Sequence, residues 1–156
     1  MDRPILTVIT MERPDTADAI GLIAELEAVL DPLYPSESRH GYSVETLLAQ
    51  GVAFFLLRAD GVPAGCGGVQ LMDAEYGEIK RMYVREQFRG SGFAKLILRH
   101  LADYTRSHNI SLLRLETGIY QQEAIGLYEA DGFYRIPPFG PYTDDPLSLY
   151  YEKRLT

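Results

Sequence analysis

The chain has 156 residues, a formal net charge of −7 at pH 7 and a single cysteine, Cys66. This length predicts one domain, residues 1–156, that can bury an apolar core without crosslinks. The single cysteine excludes an intramolecular disulfide framework and is consistent with a reducing compartment. The net charge disfavours a nucleic-acid partner. Because no apolar stretch approaches the length of a membrane span, we expect a cytoplasmic protein with no membrane partner.

The first third of the chain contains patterns for one strand and two helices. Apolar residues alternate weakly over 5–9, which predicts a strand. A helix is expected to begin at an Asp15 or Thr16 cap and to end before Pro32. The side chains expected on its inner face are Ile20, Ile23, Leu26 and Leu30. Ser43 is expected to cap a second, shorter helix.

The rest of the chain is rich in strand patterns, with one long helix among them. Strands are predicted over 52–58, 62–72, 76–84, 111–117, 133–136 and 147–153. Asp60-Gly61 is a hairpin signal between the first two of these. The long amphipathic helix, which ends near Ser107, has an apolar face formed by Phe93, Leu96, Ile97, His100, Leu101 and Tyr104. This order predicts an α+β fold whose mixed sheet contains a parallel crossover around the long helix.

A glycine-rich turn, Arg89-Gly90-Ser91-Gly92-Phe93-Ala94, leads into the long helix. The first N–H groups of a helix have no intrahelical partner, and together with the helix dipole they attract anions. The turn is not a P-loop, because no Gly-Lys-Ser/Thr follows it, and Lys95 breaks the dinucleotide pattern G-x-G-x-x-G. It is nevertheless predicted to bind phosphate.

Two motifs give the chain a family resemblance. The turn matches Arg/Gln-x-x-Gly-x-Gly/Ala, and the later segment 123–133 is similar to A-x-x-L-Y-x-x-x-G-F, with Tyr128 as its tyrosine. In this order and at this spacing, the motifs resemble the GNAT acyl-CoA N-acyltransferase superfamily, from about residue 50 to the end of the chain. The resemblance implies a mixed, mostly antiparallel sheet flanked by helices, in which a parallel strand pair splays apart to admit the pantetheine arm.

The resemblance also implies acetyl-CoA as cosubstrate, with its pyrophosphate on the turn. Gln121 occupies a position where many relatives have an asparagine that binds the pantetheine arm. The predicted cofactor-binding residues are Met82, Tyr83, Val84, Arg89, Gly90, Ser91, Gly92, Phe93, Ala94, Lys95 and Gln121. Arg81 and Arg85 are close to these in sequence, and the phosphates of a small cofactor explain this cluster of cations better than a polynucleotide does. No metal-ligand spacing is visible, so no metal is expected.

Acetyl transfer to an amine needs a base for the ammonium group, an oxyanion donor and an acid for the departing thiolate. Two glutamates, Glu78 and Glu116, are the alternative bases; either could instead be an ordinary surface residue. Glu78 lies four residues before Met82, so a regular strand would point both side chains to one face. The resemblance implies a backbone N–H around 82–84 as oxyanion donor and Tyr128 as acid. A buried core tyrosine is the other interpretation.

The acceptor is expected to be a small-molecule amine, an amino acid or a polyamine-like compound. In this fold it would contact the loops 33–42 and 137–146. Their candidate side chains are Tyr34, Arg39, His40, Tyr42, Tyr142, Asp144 and Asp145. Acidic groups favour a cationic amine, and Arg39 could hold a carboxylate.

The alternative functions are O-acylation, acetylation of a protein or peptide N-terminus, and a non-catalytic acyl-CoA sensor. Edge strands and the C-terminal strand could support a homodimer. Cys66 is expected to be a buried packing residue.

Overall fold

The computed structural model describes residues 3–38 and 43–156, and a seven-stranded sheet forms its centre. The strands are β1 (Thr7–Met11), β2 (Ala53–Ala59), β3 (Val62–Met72), β4 (Tyr76–Val84), β5 (Leu112–Gly118), β6 (Tyr134–Ile136) and β7 (Ser148–Arg154). Their order is β1-β2-β3-β4-β5-β7-β6, and every neighbouring pair is antiparallel except β4 and β5. The predicted α+β mixed sheet is confirmed.

Four α-helices flank the sheet: α1 (Ala17–Leu30), α2 (Val44–Ala49), α3 (Phe93–Ser107) and α4 (Gln122–Ala130). Thr16 caps α1 and Ser43 caps α2, each accepting a backbone N–H through its hydroxyl. One expectation for α1 is wrong: Ile20 is 46 % exposed, and Ala19 is fully buried instead. At the first turn of α1, the side chain that faces the core is therefore one residue earlier in the sequence than predicted.

The core lies on both faces of the sheet. On one face, Ile97, Leu98 and Leu101 of α3 pack with residues of β2 to β5 and β7. On the other face, α1 and α2 cover a smaller cluster that includes Phe54 and Cys66. Cys66 is fully buried and donates a hydrogen bond to the Arg81 carbonyl, and burial raises the pKa of its thiol to about 12. It is a packing residue, as expected.

The parallel strands β4 and β5 separate shortly after they meet. Their paired residues are Gly77 with Leu113 and Glu78 with Arg114. Both strands lie wholly within the described part of the chain, and beyond Glu78 they share no further pair. Alternate backbone groups of β4 therefore face a gap on the side of β5, which is the splayed pair that the family resemblance implies.

A β-bulge interrupts the pairing of β3 with β4. Cys66 lies opposite Tyr83 and Gly68 lies opposite Lys80, so the single residue between them on β3 faces two residues on β4, Arg81 and Met82. Arg81 has a left-handed backbone with φ 59°. This conformation costs a non-glycine residue about 1–3 kcal/mol, and it is frequent at functional sites.

The bulge makes one sequence-based expectation wrong, because it shifts the side-chain alternation along β4. Ile79 packs with α3 in the core, so its neighbour Glu78 points to the opposite face. Met82 also packs against the α3 cluster. If Gly67 carried a Cβ, that atom would lie 2.6 Å from the Met82 Sδ. Glu78 and Met82 thus point to opposite faces of the sheet.

None of the helices within residues 3–38 and 43–156 combines the length and apolar character needed to cross a bilayer. In the sheet, β7 lies between β5 and β6, so its backbone is already paired on both sides. A homodimer through the backbone of the C-terminal strand is therefore disfavoured.

Candidate active site

Two connected depressions mark the place where β4 and β5 separate. A cavity of about 130 Å³ lies between α1, the two strands and Tyr142. A larger groove of about 630 Å³ runs from the split to the N-terminus of α3. The residues that line both are Leu26, Met82, Gln121, Ala124 and Tyr128. A ligand in the groove can therefore reach a second ligand in the cavity beside Tyr128.

The glycine turn forms the far end of the groove. Gly90 and Gly92 have φ of 87° and 80°, a conformation that glycine adopts without strain. Gly92 is the N-cap of α3 and provides no side chain to bond the first-turn N–H groups. The intrahelical bonds begin with the N–H of Leu96, which donates to the Gly92 carbonyl. The geometry thus fits an anion such as a pyrophosphate.

Most of the predicted cofactor residues line this groove. They are Met82, Tyr83, Val84, Arg89, Gly90, Gly92, Phe93, Ala94, Lys95 and Gln121. Ser91 is exposed on the turn and does not line it. The apolar rim formed by Val29, Leu33 and Tyr120 was not predicted, and each of these side chains is at least 39 % exposed. The sequence contains no signal for this rim, because its residues belong to separate elements.

The cluster of cations that favoured cofactor phosphates over a polynucleotide is divided between two places. Arg89 and Lys95 line the groove. Arg85 instead donates to both carboxylate oxygens of Glu25 on α1. Arg81 is in an ion pair with Glu27 on the same helix and lines the cavity. The bulge directs Arg81 to this face.

Glu78 is almost fully buried in the cavity, at 3 % exposure. The Tyr142 hydroxyl donates to its Oε2 at 2.5 Å. Tyr142 belongs to an aromatic cluster with Phe139 and Tyr150, which holds the loop 137–146 over the end of β4. The predicted acceptor loop thus reaches one of the two candidate bases.

Glu116 lines the same cavity from β5. It is half-buried, and its Oε2 accepts a hydrogen bond from the Ser148 hydroxyl at 2.8 Å. Two carboxylates from the two separating strands therefore converge on one small space.

Tyr128 lies at the junction of cavity and groove. Its side chain is 5 % exposed and packs edge-on against Phe133. Burial raises the pKa of its hydroxyl far above the usual range, and the negative charge of Glu116 adds to this effect. The hydroxyl therefore keeps its proton at neutral pH.

The loop after α1 closes the cavity near β5. The Tyr34 hydroxyl accepts from the Tyr120 N–H at 2.9 Å and donates to Gln121 Oε1 at 3.3 Å. A Cβ on Gly118 would overlap this hydroxyl. Asp144 and Asp145 do not line the cavity. The candidates Arg39, His40 and Tyr42 lie outside the described residues.

The described residues contain no cluster of three or more His, Cys, Asp or Glu side chains that could hold a metal ion.

Comparison with known proteins identifies the family. The model of the acetyltransferase (GNAT) family matches residues 23–133, a range that includes the glycine turn, both candidate bases and Tyr128. The chain belongs to the GNAT acetyltransferase family. This GNAT chain is therefore an acetyl-CoA-dependent acyltransferase.

Relatives extend over the whole of this GNAT domain. The IAA acetyltransferase of Azospirillum brasilense is 40 % identical over 148 residues, covering 94 % of this chain and 97 % of that protein. A Klebsiella pneumoniae structure named an acyl-CoA N-acyltransferase is 36 % identical with a TM-score of 0.83, covering 97 % and 99 % of the two chains. A GNAT acetyltransferase of Elizabethkingia anophelis, solved with acetyl-CoA bound, is 18 % identical. It shares the fold, with a TM-score of 0.71 over 96 % and 98 % of the chains.

Proposed function

We propose that this chain is an N-acetyltransferase that acetylates the primary amine of a small molecule by direct attack in a ternary complex. One observation carries the proposal: Glu78 and Glu116 line a cavity that meets the cosubstrate groove at Tyr128. The cavity volume of about 130 Å³ favours a small acceptor over a peptide segment.

The cosubstrate groove supplies the binding part of this proposal. The N–H groups of residues 90–95 would hold the pyrophosphate, with Arg89 and Lys95 adding positive charge. Acetyl-CoA supplies the thioester when it is bound. The β4 backbone between the bulge and Val84, which faces the gap, would donate to the oxyanion that develops on the thioester carbonyl.

Proton transfers would be divided between the carboxylates and Tyr128. Glu78 or Glu116 removes a proton from the acceptor ammonium, directly or through water, so that the free amine can attack. Both carboxylates line the cavity, and the charge of Glu116 also acts on the Tyr128 hydroxyl, so either one can be the base. The opposite orientation of Met82 removes the argument that favoured Glu78 from sequence. Tyr128, which holds its proton at neutral pH, donates it to the departing thiolate.

An acetyl-CoA thiol-release screen tests the proposal. Amino acids and polyamines are supplied as acceptors, and the products are checked for an added acetyl group by mass spectrometry. We expect release above the acceptor-free rate for members of one of these two classes. Transfer to protein N-termini or to alcohols, with none to small amines, would contradict the proposal.

A further inference from the structure

We propose that Arg81 binds a carboxylate group of the acceptor, so that the substrate is an amino acid rather than a polyamine. This inference rests on the proposed N-acetyltransferase function and narrows its substrate class. It starts from the displacement of Arg81 from the cofactor groove to the cavity, where the bulge places its side chain next to Glu27 of α1.

The hydrogen bonds of Arg81 are incomplete. Its side chain is 3 % exposed and its Nη2 is held in an ion pair by Glu27, yet its Nε has no hydrogen-bond partner among the described residues. No other buried side-chain nitrogen or oxygen atom in that part of the chain lacks both a hydrogen bond and an ion pair. Buried donors are normally satisfied, so such an exception requires an explanation. A ligand in the cavity that Arg81 lines provides one.

Nε and Nη2 form one edge of the guanidinium group. Two parallel N–H donors on a planar edge match the two oxygens of a carboxylate. Glu27 already engages the Nη2 end of this edge, and the Glu27 side chain is 32 % exposed. The acceptor carboxylate would therefore share or replace the contact with Glu27.

The remaining charges of the cavity suit a molecule that carries both an ammonium and a carboxylate group. Glu78 and Glu116 provide negative charge for the ammonium group. Lys80 adds a second cation, and its Nζ donates to Gln50 and Gln70. A polyamine would place its additional positive charges against Arg81 and Lys80. An amino acid would place a carboxylate there instead.

Matched pairs of acceptors test this assignment. Thiol release is measured with the common L-amino acids and with their carboxamides, which keep the amine and remove the negative charge. The wild-type enzyme should acetylate at least one amino acid with a kcat/KM about a hundredfold above that of its carboxamide. Arg81→Gln should remove about this factor for the acid and leave the carboxamide within about threefold. The amine of an amino acid and that of its carboxamide differ in intrinsic reactivity. This difference is the same for the wild-type enzyme and for Arg81→Gln, so it cancels when the two enzymes are compared.

Glu27→Gln provides a variant with the opposite expected sign. It frees Arg81 from a competing carboxylate, so the KM for the amino acid should fall several-fold while that for the carboxamide stays constant. If Arg81 only ties α1 to β4, both variants should impair the two acceptors equally. That result would overturn the proposal. If Arg81→Gln fails to fold, Glu27→Gln and the comparison of amino acid with carboxamide in the wild-type enzyme still decide between the two roles.

Two outcomes separate this inference from the proposed function. Acetylation of polyamines or carboxamides as fast as amino acids would overturn the assignment of Arg81 and leave the N-acetyltransferase function intact. Acetylation of no amine of any kind would overturn both.

Discussion

The Tyr128 hydroxyl can be removed without disturbing the ring that packs against Phe133. Tyr128→Phe should therefore lower kcat about a hundredfold and leave acetyl-CoA affinity almost unchanged, since a general acid acts in the transition state. Single-turnover transfer at saturating acetyl-CoA measures the chemical step.

Tyr151→Phe is a matched control for this loss. Tyr151 is also buried, but its hydroxyl donates to Glu129, away from both depressions. It should lose some stability and keep normal turnover. An unchanged single-turnover rate in Tyr128→Phe would reduce Tyr128 to a packing residue.

The two carboxylates can be distinguished by the pH dependence of their variants. The base should matter most near neutral pH, where the acceptor amine is protonated, and least at high pH, where part of the amine is already neutral. Either Glu78→Gln or Glu116→Gln should therefore show a kcat/KM deficit that shrinks as pH rises. The other variant should give a profile parallel to that of the wild type. Two parallel profiles would exclude both residues as the base.

At the scale of elements, the glycine turn and α3 act as one unit. Gly92→Val places a branched side chain at the N-terminus of α3 and should weaken acetyl-CoA binding at least about tenfold by calorimetry. Gly61→Val is the matched control, because Gly61 has φ 82° but lies in the β2–β3 turn. Both variants should lose about 1–3 kcal/mol of stability through backbone strain. Equal acetyl-CoA affinities in the two would contradict the anion site.

The contact between Gly118 and Tyr34 joins β5 to the loop after α1. Gly118→Ala should push the Tyr34 ring away, because the new Cβ would overlap the Tyr34 hydroxyl oxygen. The hydrogen bonds to Tyr120 and Gln121 would then be lost. We expect a folded protein with a several-fold higher KM for the acceptor.

Tyr34→Phe is the corresponding control for this contact. It removes the hydroxyl and keeps the ring in place, so it should reproduce only the part of the effect that comes from the two hydrogen bonds. A Gly118→Ala enzyme with unaltered kinetics would show that Tyr34 has no role in acceptor binding.

Helices and strands that are marked by residues close together in the sequence could be predicted from it. Contacts between residues far apart in the sequence could not. Thr16 and Ser43 cap helices through hydroxyls a few residues from the amides they bind. The bulge at Arg81 has no such signal, since the residue is not glycine or asparagine and the cause lies in its pairing with β3. The contact between Tyr142 and Glu78 spans 64 residues and depends on how the aromatic cluster folds the loop 137–146.

On the scale of the whole molecule, family membership identifies the reaction and the cosubstrate but does not identify the acceptor. The sheet order, the split between β4 and β5 and the glycine turn belong to the shared acyltransferase scaffold. Tyr128 is the part of the acceptor cavity that belongs to a motif, whereas α1, the loop after it and the loop 137–146 complete the cavity outside both motifs. The motifs therefore predicted the cosubstrate and left the substrate class to the side chains of this cavity.

The short pairing of β4 with β5 also has a mechanical consequence. Within residues 3–38 and 43–156, two residue pairs of the sheet join β1 to β4 with β5, β7 and β6, and elsewhere α3 and the core bridge the two halves. Such a junction leaves few backbone hydrogen bonds to oppose a motion of one half of the sheet against the other. A cosubstrate lying in the gap would act as an additional strand and suppress that motion. Loading the enzyme would thereby stiffen the acceptor cavity before the amine enters it.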